Sequence, residues 1–544
     1  MREILLRANG YAEIYNGFRW QIPKRYNMTH DVCDRLAART PDAVALIHET
    51  EQGAVRTYSF ARLRDMACRA ANAFTAFGAT RGDRVVLLLN QSPEALLVHL
   101  ACWRAGIISV PLSISLDGET LIQRMQICGA KIVVTDCVRY AMLADLRDRL
   151  PDLIEIMLVD GARPGASEFH ERLADAAPNH AMADTGPDDP AFLSFTSGST
   201  GVPKGVVLGH GMLIGHLPGY IFAYEHFGQP GDLCWTPADW AGGGGLSMSL
   251  LQCLWFGKSA VAFRSEGTFD PERAFATIVK HRVRNLFIMP TMIKLLRQAP
   301  VPKDVNLRSF ISAGEAVGAE LAAWSRNALG VHLNAVYGQS EANFLLAHVP
   351  VFMAEKPGSM GVPVPGYTIG VLDPMGAERG PGELGQLALK RPHPVIMLGY
   401  WNDTAATRAC YSGDWLLTGD IVARDDDGYY WYQGRPEDMI NTASGQIGPG
   451  EIEDVFVRHP AIAVAAAIGI PVGQAEQDIK VFLQPKIGVT IDSALAVDLD
   501  GFSRAELPPT HVPRTIEFVD ALPLTATSKV ARRVLREREM LGTQ

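Results

Sequence analysis

Short, uninterrupted apolar runs alternate with amphipathic stretches of ten or more residues through the first half of this chain, and that rhythm admits few architectures. Arg84-Val-Val-Leu-Leu-Leu-Asn90, Ile107-Ile-Ser-Val110 and Lys131-Ile-Val-Val-Thr135 read as strands. A strand that is apolar on both faces needs cover on both faces, which is the condition of a parallel sheet flanked by helices. The covering helices are also legible. Residues 29–39 read as a helix capped by Thr29 and stopped before Pro41, and residues 93–104 read as another. Residues 43–47 read as a strand, and Ser59 caps a long helix running to about residue 77, where Gly78 supplies the stop.

From residue 357 to 432 the texture changes to glycine, proline and short alternating runs such as Gln386-Leu-Ala-Leu-Lys390 and Tyr429-Tyr-Trp-Tyr432, a β-rich signature. The last stretch holds strand candidates at 464–468 and 480–484 and closes on a basic helix over 529–539. A length of 544 residues suggests about three or four folding units. The net charge of -9 gives no footprint for nucleic acid or an anionic membrane. Eight cysteines stand at least nine residues apart with no CxxC pair, which suits free thiols in a reducing compartment rather than zinc or disulfides. No signal-peptide core is present at the N-terminus, and the longest apolar run, 461–468, is too short to span a bilayer. The expectation is a cytoplasmic protein.

The strongest local motif is Phe195-Thr-Ser-Gly-Ser-Thr-Gly-Val-Pro-Lys-Gly-Val206. The hydroxyls of Thr196, Ser197, Ser199 and Thr200, the backbone freed by Gly198 and Gly201, and the Lys204 ammonium suit the cradling of a polyphosphate. Pro203 stands where a Walker A loop needs its second glycine, so this is a different device. The one GxGxxG, at Gly380, Gly382 and Gly385, precedes a strand rather than following one, and reads as a loop.

Taken in order, the motifs resemble those of the adenylate-forming superfamily: acyl-CoA synthetases, luciferases and peptide-synthetase adenylation domains. The closest resemblance is to short- and medium-chain acyl-CoA synthetases. By that resemblance the serine- and threonine-rich loop binds ATP phosphates, and Gly314, Glu315 and Ala316 of Ser312-Ala-Gly-Glu-Ala316 lie beside adenine. In Tyr337-Gly-Gln-Ser-Glu341, Tyr337 would stack on the base, with Gly338 and Gln339 beside it. Ser340 would contact the α-phosphate, and Glu341 would ligate Mg²⁺. Asp420 of Thr418-Gly-Asp420 and Arg435 would hold the ribose, and Glu437 would be the hinge. Lys529, in Leu524-Thr-Ala-Thr-Ser-Lys-Val530, would bridge the acid and the α-phosphate. The implied fold is α/β. An N-terminal domain over 1–434 would hold stacked sheet subdomains and a small β-rich one at about 357–434, followed by a mobile α/β domain over 435–544.

These residue types suit the chemistry. A carboxylate attacking a phosphate brings two anions together, and cations held in place stabilise the charge that grows as pyrophosphate leaves. No side-chain nucleophile is required, and no GxSxG elbow is present. Trp235-Thr-Pro-Ala-Asp-Trp-Ala-Gly-Gly-Gly-Gly-Leu246 aligns with the acyl-pocket segment of the resembled enzymes. Gly242, Gly243 and Gly244 would open room for a ring or a branched chain against Trp240, or else form a flexible loop. The acceptor implied is coenzyme A. However, Ser444 stands where the family has the glycine that admits pantetheine, Gly445 comes one residue late, Gln446 replaces a commonly basic residue, and Ser528 replaces the glycine before Lys529. An enzyme passing its adenylate to an amine, a carrier protein or nitrite therefore stays open, as does a non-catalytic nucleotide-binding module. The partner expected is a small-molecule acid, with no nucleic acid and no membrane, and a homodimer is the assembly to test.

Overall fold

The computed structural model describes residues 10–196, 202–442, 445–472, 476–486, 488–523 and 530–542. By compactness the chain falls into two units, one of residues 1–369 and 389–416, the other of residues 370–388 and 417–544. The division cuts the strands Leu384–Lys390 and Trp415–Arg424.

In the first unit the described residues build a nine-stranded and an eight-stranded sheet. The eight-stranded sheet has a parallel centre in which Val86 of Arg84–Leu88 lies opposite both Val110 and Val133, and Val133 opposite Ile156. Every residue of Ile132–Thr135 is buried, as a strand apolar on both faces requires. Pro190–Thr196 joins this sheet and pairs antiparallel with Lys204–Gly209. In the nine-stranded sheet, Leu233–Trp235, Asn285–Phe287, Ser309–Ala313 and Leu333–Gln339 run parallel, with Cys234 opposite Asn285, Leu286 opposite Phe310 and Ala313 opposite Val336.

The covering helices begin and end for local reasons. Ser59 accepts the Arg62 backbone N–H at 3.3 Å and starts Phe60–Ala76, as expected. Ser92 caps Pro93–Ala105, which ends on Gly106 at a φ of 71°. Thr29 differs from expectation. It has helical backbone and makes no cap bond, and its hydroxyl donates instead to the Leu100 carbonyl at 2.9 Å. Gly382, at a φ of 78°, sits in a turn before Leu384–Lys390, so the GxGxxG string opens a strand rather than a dinucleotide site.

The second unit carries a three-stranded sheet of Ile462–Pro471, Gln477–Pro485 and Thr515–Phe518, with helices Pro449–Arg458, Ser493–Glu506 and Arg532–Gly542. Ile452, Phe456, Ala467 and Val481 form the heart of its core. The closing helix begins three residues later than the pattern suggests, at Arg532. The α/β class expected is the class found. Among the described residues no helix is long and apolar enough to cross a membrane.

Candidate active site

Parallel strands deliver their carboxyl ends, and the loops that follow them, to one edge of a sheet. Three segments singled out in the sequence arrive together in this way, with Phe287 on the strand between two of them. Trp240 and the glycine run follow Leu233–Trp235, Phe287 ends its own strand, Gly314 to Ala316 follow Ser309–Ala313, and Tyr337 lies near the end of Leu333–Gln339. The register places Ala313 opposite Val336, so Gly314 and Tyr337 are next in line on neighbouring strands. Glu315 is held by the Thr291 hydroxyl, which donates to its carboxylate at 2.7 Å. Ser340 and Glu341 form the turn between Leu333–Gln339 and Ala342–His348, where Gln339 pairs with Ala342. Tyr337, Gly338, Gln339, Ser340 and Glu341 are all half-buried.

Lys204 opens the strand that pairs with Pro190–Thr196, and Thr196 lies directly opposite it. Ser197, Gly198, Ser199, Thr200 and Gly201 lie outside the described residues. The short strand Gly399–Tyr400 pairs with the Lys204 strand, Tyr400 opposite Val206. There the Lys204 ammonium sits 5.0 Å from the centre of the Tyr400 ring. The Tyr400 hydroxyl donates to Glu341 Oε1 at 2.8 Å. The Cys410 thiol lies 3.7 Å from that hydroxyl. Burial, with the Glu341 charge added to it, pushes the Tyr400 hydroxyl well above the usual phenol range, so it stays a donor.

Among the described residues no three His, Cys, Asp or Glu side chains converge on a metal. A single half-buried carboxylate facing a lysine across a tyrosine fits a hard cation that brings most of its oxygen ligands with it as phosphate and water. Glu341 is the residue that would hold Mg²⁺ there.

The glycine run proves to be the first turn of a helical stretch, Gly243–Gly245 leading into Leu246–Leu250 and Leu251–Trp255, and not a floppy loop. Its four members are not equivalent. A Cβ on Gly243 would meet nothing within 4 Å, one on Gly244 would touch the Phe287 ring at 3.5 Å, and one on Gly242 would lie 3.5 Å from the Asp239 carbonyl. A Cβ on Gly245 would collide with the Asp239 carbonyl, so that glycine is required by the backbone. Trp240 is only 3% exposed, and its indole N–H has no partner among the described residues.

In the second unit Asp420 is 4% exposed and pairs with the Arg435 guanidinium at 2.6 Å. Asp438, one residue past Glu437, is gripped by Arg536 of the closing helix at 2.8 Å. Asn441 and Gln446 face each other across a hairpin, Gln446 Nε2 donating to Asn441 Oδ1 at 3.0 Å, and Gly445 adopts a φ of 125°. Ser444, Ser528 and Lys529 lie outside the described residues.

Two residues escaped the sequence reading. Tyr400 is separated from Glu341 by 59 positions and carries no motif chemistry of its own. Asp239 was inside the quoted acyl segment, yet its work is structural. It accepts from the Ala241 N–H at 2.9 Å and the Ser113 hydroxyl at 2.7 Å, and pairs with Arg264 at 3.7 Å. Nothing in the local sequence pairs it with Ser113, 126 residues earlier.

Residues 33–401 match the model of the AMP-binding enzyme family, and residues 451–529 match that of the AMP-binding enzyme C-terminal domain. Over 541 residues the chain is 31% identical to human mitochondrial acyl-coenzyme A synthetase ACSM5, covering 96% of this chain and 92% of that one. It is 29% identical over 576 residues to an acetyl-coenzyme A synthetase of Laribacter hongkongensis, with 98% and 88% covered. Among solved structures, the anthranilate CoA ligase AuaEII in complex with anthranoyl-AMP superimposes with a TM-score of 0.84 at 25% identity, over 96% of this chain and 99% of that one.

Proposed function

This chain belongs to the AMP-binding enzyme family, and from that membership we propose that it activates a small ring-bearing or branched organic acid as its acyl adenylate and transfers the acyl group to coenzyme A. It is an enzyme of the adenylate-forming acid–CoA ligases. The observation that carries the proposal is the convergence of Lys204, Tyr400 and Glu341 in one cluster at the edge where Tyr337 and Gly314 also arrive.

In the first half-reaction a carboxylate oxygen of the acid bonds to the α-phosphorus of ATP while the bond to pyrophosphate breaks. Lys204 and Lys529 are assigned to the charge that this displacement develops, Ser340 to the α-phosphate and Tyr337 to adenine. Asp420 accepts from the ribose hydroxyls, with Arg435 beside it. Mg²⁺ at Glu341 would neutralise phosphate charge. In the second half-reaction the thiol sulfur of coenzyme A bonds to the acyl carbon and AMP departs. Alternation of the 435–544 domain about Glu437 between the two steps belongs to the same proposal.

Open space at Gly243, with the Phe287 ring beside the next glycine, Gly244, supports an acid broader than acetate. The similar enzyme whose structure holds anthranoyl-AMP supports a ring. Gly445 supports coenzyme A as acceptor, because its positive φ puts a glycine in the hairpin although one residue late. Gln446, spent on Asn441 instead of offering a positive charge, favours the second reading, in which an amine, a carrier protein or nitrite is the partner. Eight free cysteines support a reducing, cytoplasmic setting.

The test is pyrophosphate release from ATP over a panel of aliphatic, branched and aromatic acids, each with and without coenzyme A. Thioester formation that requires coenzyme A and prefers bulky acids is the expected result. ATP–pyrophosphate exchange indifferent to coenzyme A would hand the reaction to the second reading. ATP binding with no pyrophosphate release from any acid would leave only a nucleotide-binding module.

A further inference from the structure

We propose that Tyr400 is a positioning residue with two separate duties, its hydroxyl aiming the Glu341 carboxylate and its ring seating the Lys204 ammonium. The inference rests on the ATP-using reading above and deepens it, because it assigns the residue that couples the metal side of the site to the phosphate side.

The backbone around Tyr400 is pinned at both ends of this bridge. The Met397 N–H donates to the Glu341 carbonyl at 2.8 Å, and the Leu398 and Trp401 N–H groups donate to Val207 and Gly205 on the Lys204 strand at 2.8 and 2.7 Å. The Tyr400 N–H donates to the Thr407 hydroxyl at 2.9 Å. The backbone that carries the side chain is thereby held by the Glu341 turn and the Lys204 strand, and ring and hydroxyl each meet a group of formal charge. The ring centre lies 5.0 Å from Lys204 Nζ, within cation–π range, and the hydroxyl lies 2.8 Å from Glu341 Oε1. A tyrosine present only to fill space would need neither end so placed. Lys204 and Glu341 carry opposite charges, and a direct ion pair between them would withdraw both from a triphosphate. The ring and hydroxyl hold them apart and usable.

Two substitutions separate the duties. Tyr400→Phe keeps the ring and loses the hydroxyl, whereas Tyr400→Leu loses both. The readout is equilibrium binding of ATP by calorimetry, without acid substrate, first in excess chelator and then with Mn²⁺, whose bound fraction is followed by electron paramagnetic resonance. Tyr400→Phe should leave metal-free ATP affinity within about 2-fold of wild type and weaken Mn²⁺ binding in the ATP complex by on the order of 10-fold, the scale of one charge-assisted hydrogen bond. Tyr400→Leu should also weaken metal-free ATP binding, by roughly 3- to 10-fold, the scale of a lost cation–π contact. Glu341→Gln is the control for the metal side. Wild type that binds no ATP would sink the ATP-using reading itself, whatever Tyr400 does. Wild type that binds ATP, with Glu341→Gln losing Mn²⁺ and Tyr400→Phe keeping it, would overturn the role of Tyr400 while leaving that reading intact. Should Tyr400→Leu fail to fold, Tyr400→Phe alone still decides the hydroxyl's part.

Discussion

A Cβ placed on Gly338 would lie 2.6 Å from the Phe344 backbone nitrogen and 2.8 Å from Asn343 Oδ1. Phe344 is itself unusual, a bulky residue at a φ of 57°, and its ring reaches the helix Met212–Ala223, where a Cβ on Gly219 would lie 2.6 Å from it. Gly338 is therefore required by close approach of the strand that follows, and Tyr337 and Glu341 flank the contact. Gly338→Ala should cost about 1–3 kcal/mol as overpacking. It should also lower pyrophosphate release at least about 10-fold, since a 1 Å shift of positioned groups is enough. Thermal unfolding and the exchange assay check both, and an unchanged rate in a folded variant would deny the coupling. The sequence displays Gly338 inside its motif, but the reason for it lies in Phe344, whose backbone conformation is set by tertiary packing that no local pattern records. Tyr400 and Asp239 are invisible for the same reason: each acts on partners far away in the chain, Glu341 for the one and Ser113 for the other.

Caps and strands are legible to the extent that their causes are local. Ser59 is recognisable because the N–H it accepts from belongs to Arg62, three residues on, and Ser59→Ala should cost about 1 kcal/mol by thermal unfolding. Thr29 resembles a cap equally well on paper, yet its hydroxyl is taken by Leu100, 71 residues later, and the helix runs through it. The glycine run shows a subtler limit. Read as a sequence it is either an open wall or a flexible loop, whereas the structure makes it the opening turn of a helix in which Gly245 is required by close approach and Gly243 is not. Gly243→Ala meets no atom within 4 Å, so it should stabilise by about 0.5–1 kcal/mol through reduced backbone entropy. Gly245→Ala should destabilise, because its Cβ runs into the Asp239 carbonyl. If Gly243 borders the acyl group, Gly243→Leu should reject ring-bearing acids while sparing acetate. Equal losses for every acid, measured by pyrophosphate release, would remove the pocket from this helix.

At the scale of the molecule, burial has left four histidines neutral inside the first unit, and that sets how the protein should meet acid. Desolvation lowers His99, His216 and His393 to about 3 and His210 to about 4. Each has one ring nitrogen without a partner among the described residues: Nε2 of His99, His210 and His393, and Nδ1 of His216. In the unfolded chain all four would titrate near 6.5. Between that value and 3 to 4 the unfolded state therefore binds more protons than the folded one, and stability falls as pH falls through the window. Well below pH 6.5 each such proton contributes roughly 1.4 kcal/mol per pH unit, so four together approach about 5 kcal/mol per unit. Against a total stability of about 5–15 kcal/mol, a slope of that order is a large share of what holds the unit folded. Glu49, Glu94 and Asp189, lowered despite burial by their hydrogen-bonded partners, add to the loss at still lower pH. His170 and Glu225 oppose it: the hydrogen bond to Glu94 raises His170 and burial raises the Glu225 carboxyl, so their contributions are present in acid and lost as pH rises. The thermal midpoint should consequently fall steeply from pH 7 to pH 5. The clearest single check is His99→Gln, where the amide can still bond the Ser109 hydroxyl that lies 2.9 Å from His99 Nδ1. The variant should start lower at pH 7, having lost the ring that stacks on Trp103 and Phe192, yet its midpoint should fall with pH less steeply than wild type. Parallel slopes for the two proteins would mean that His99 does not carry its share, and a flat wild-type profile would mean that none of the four does.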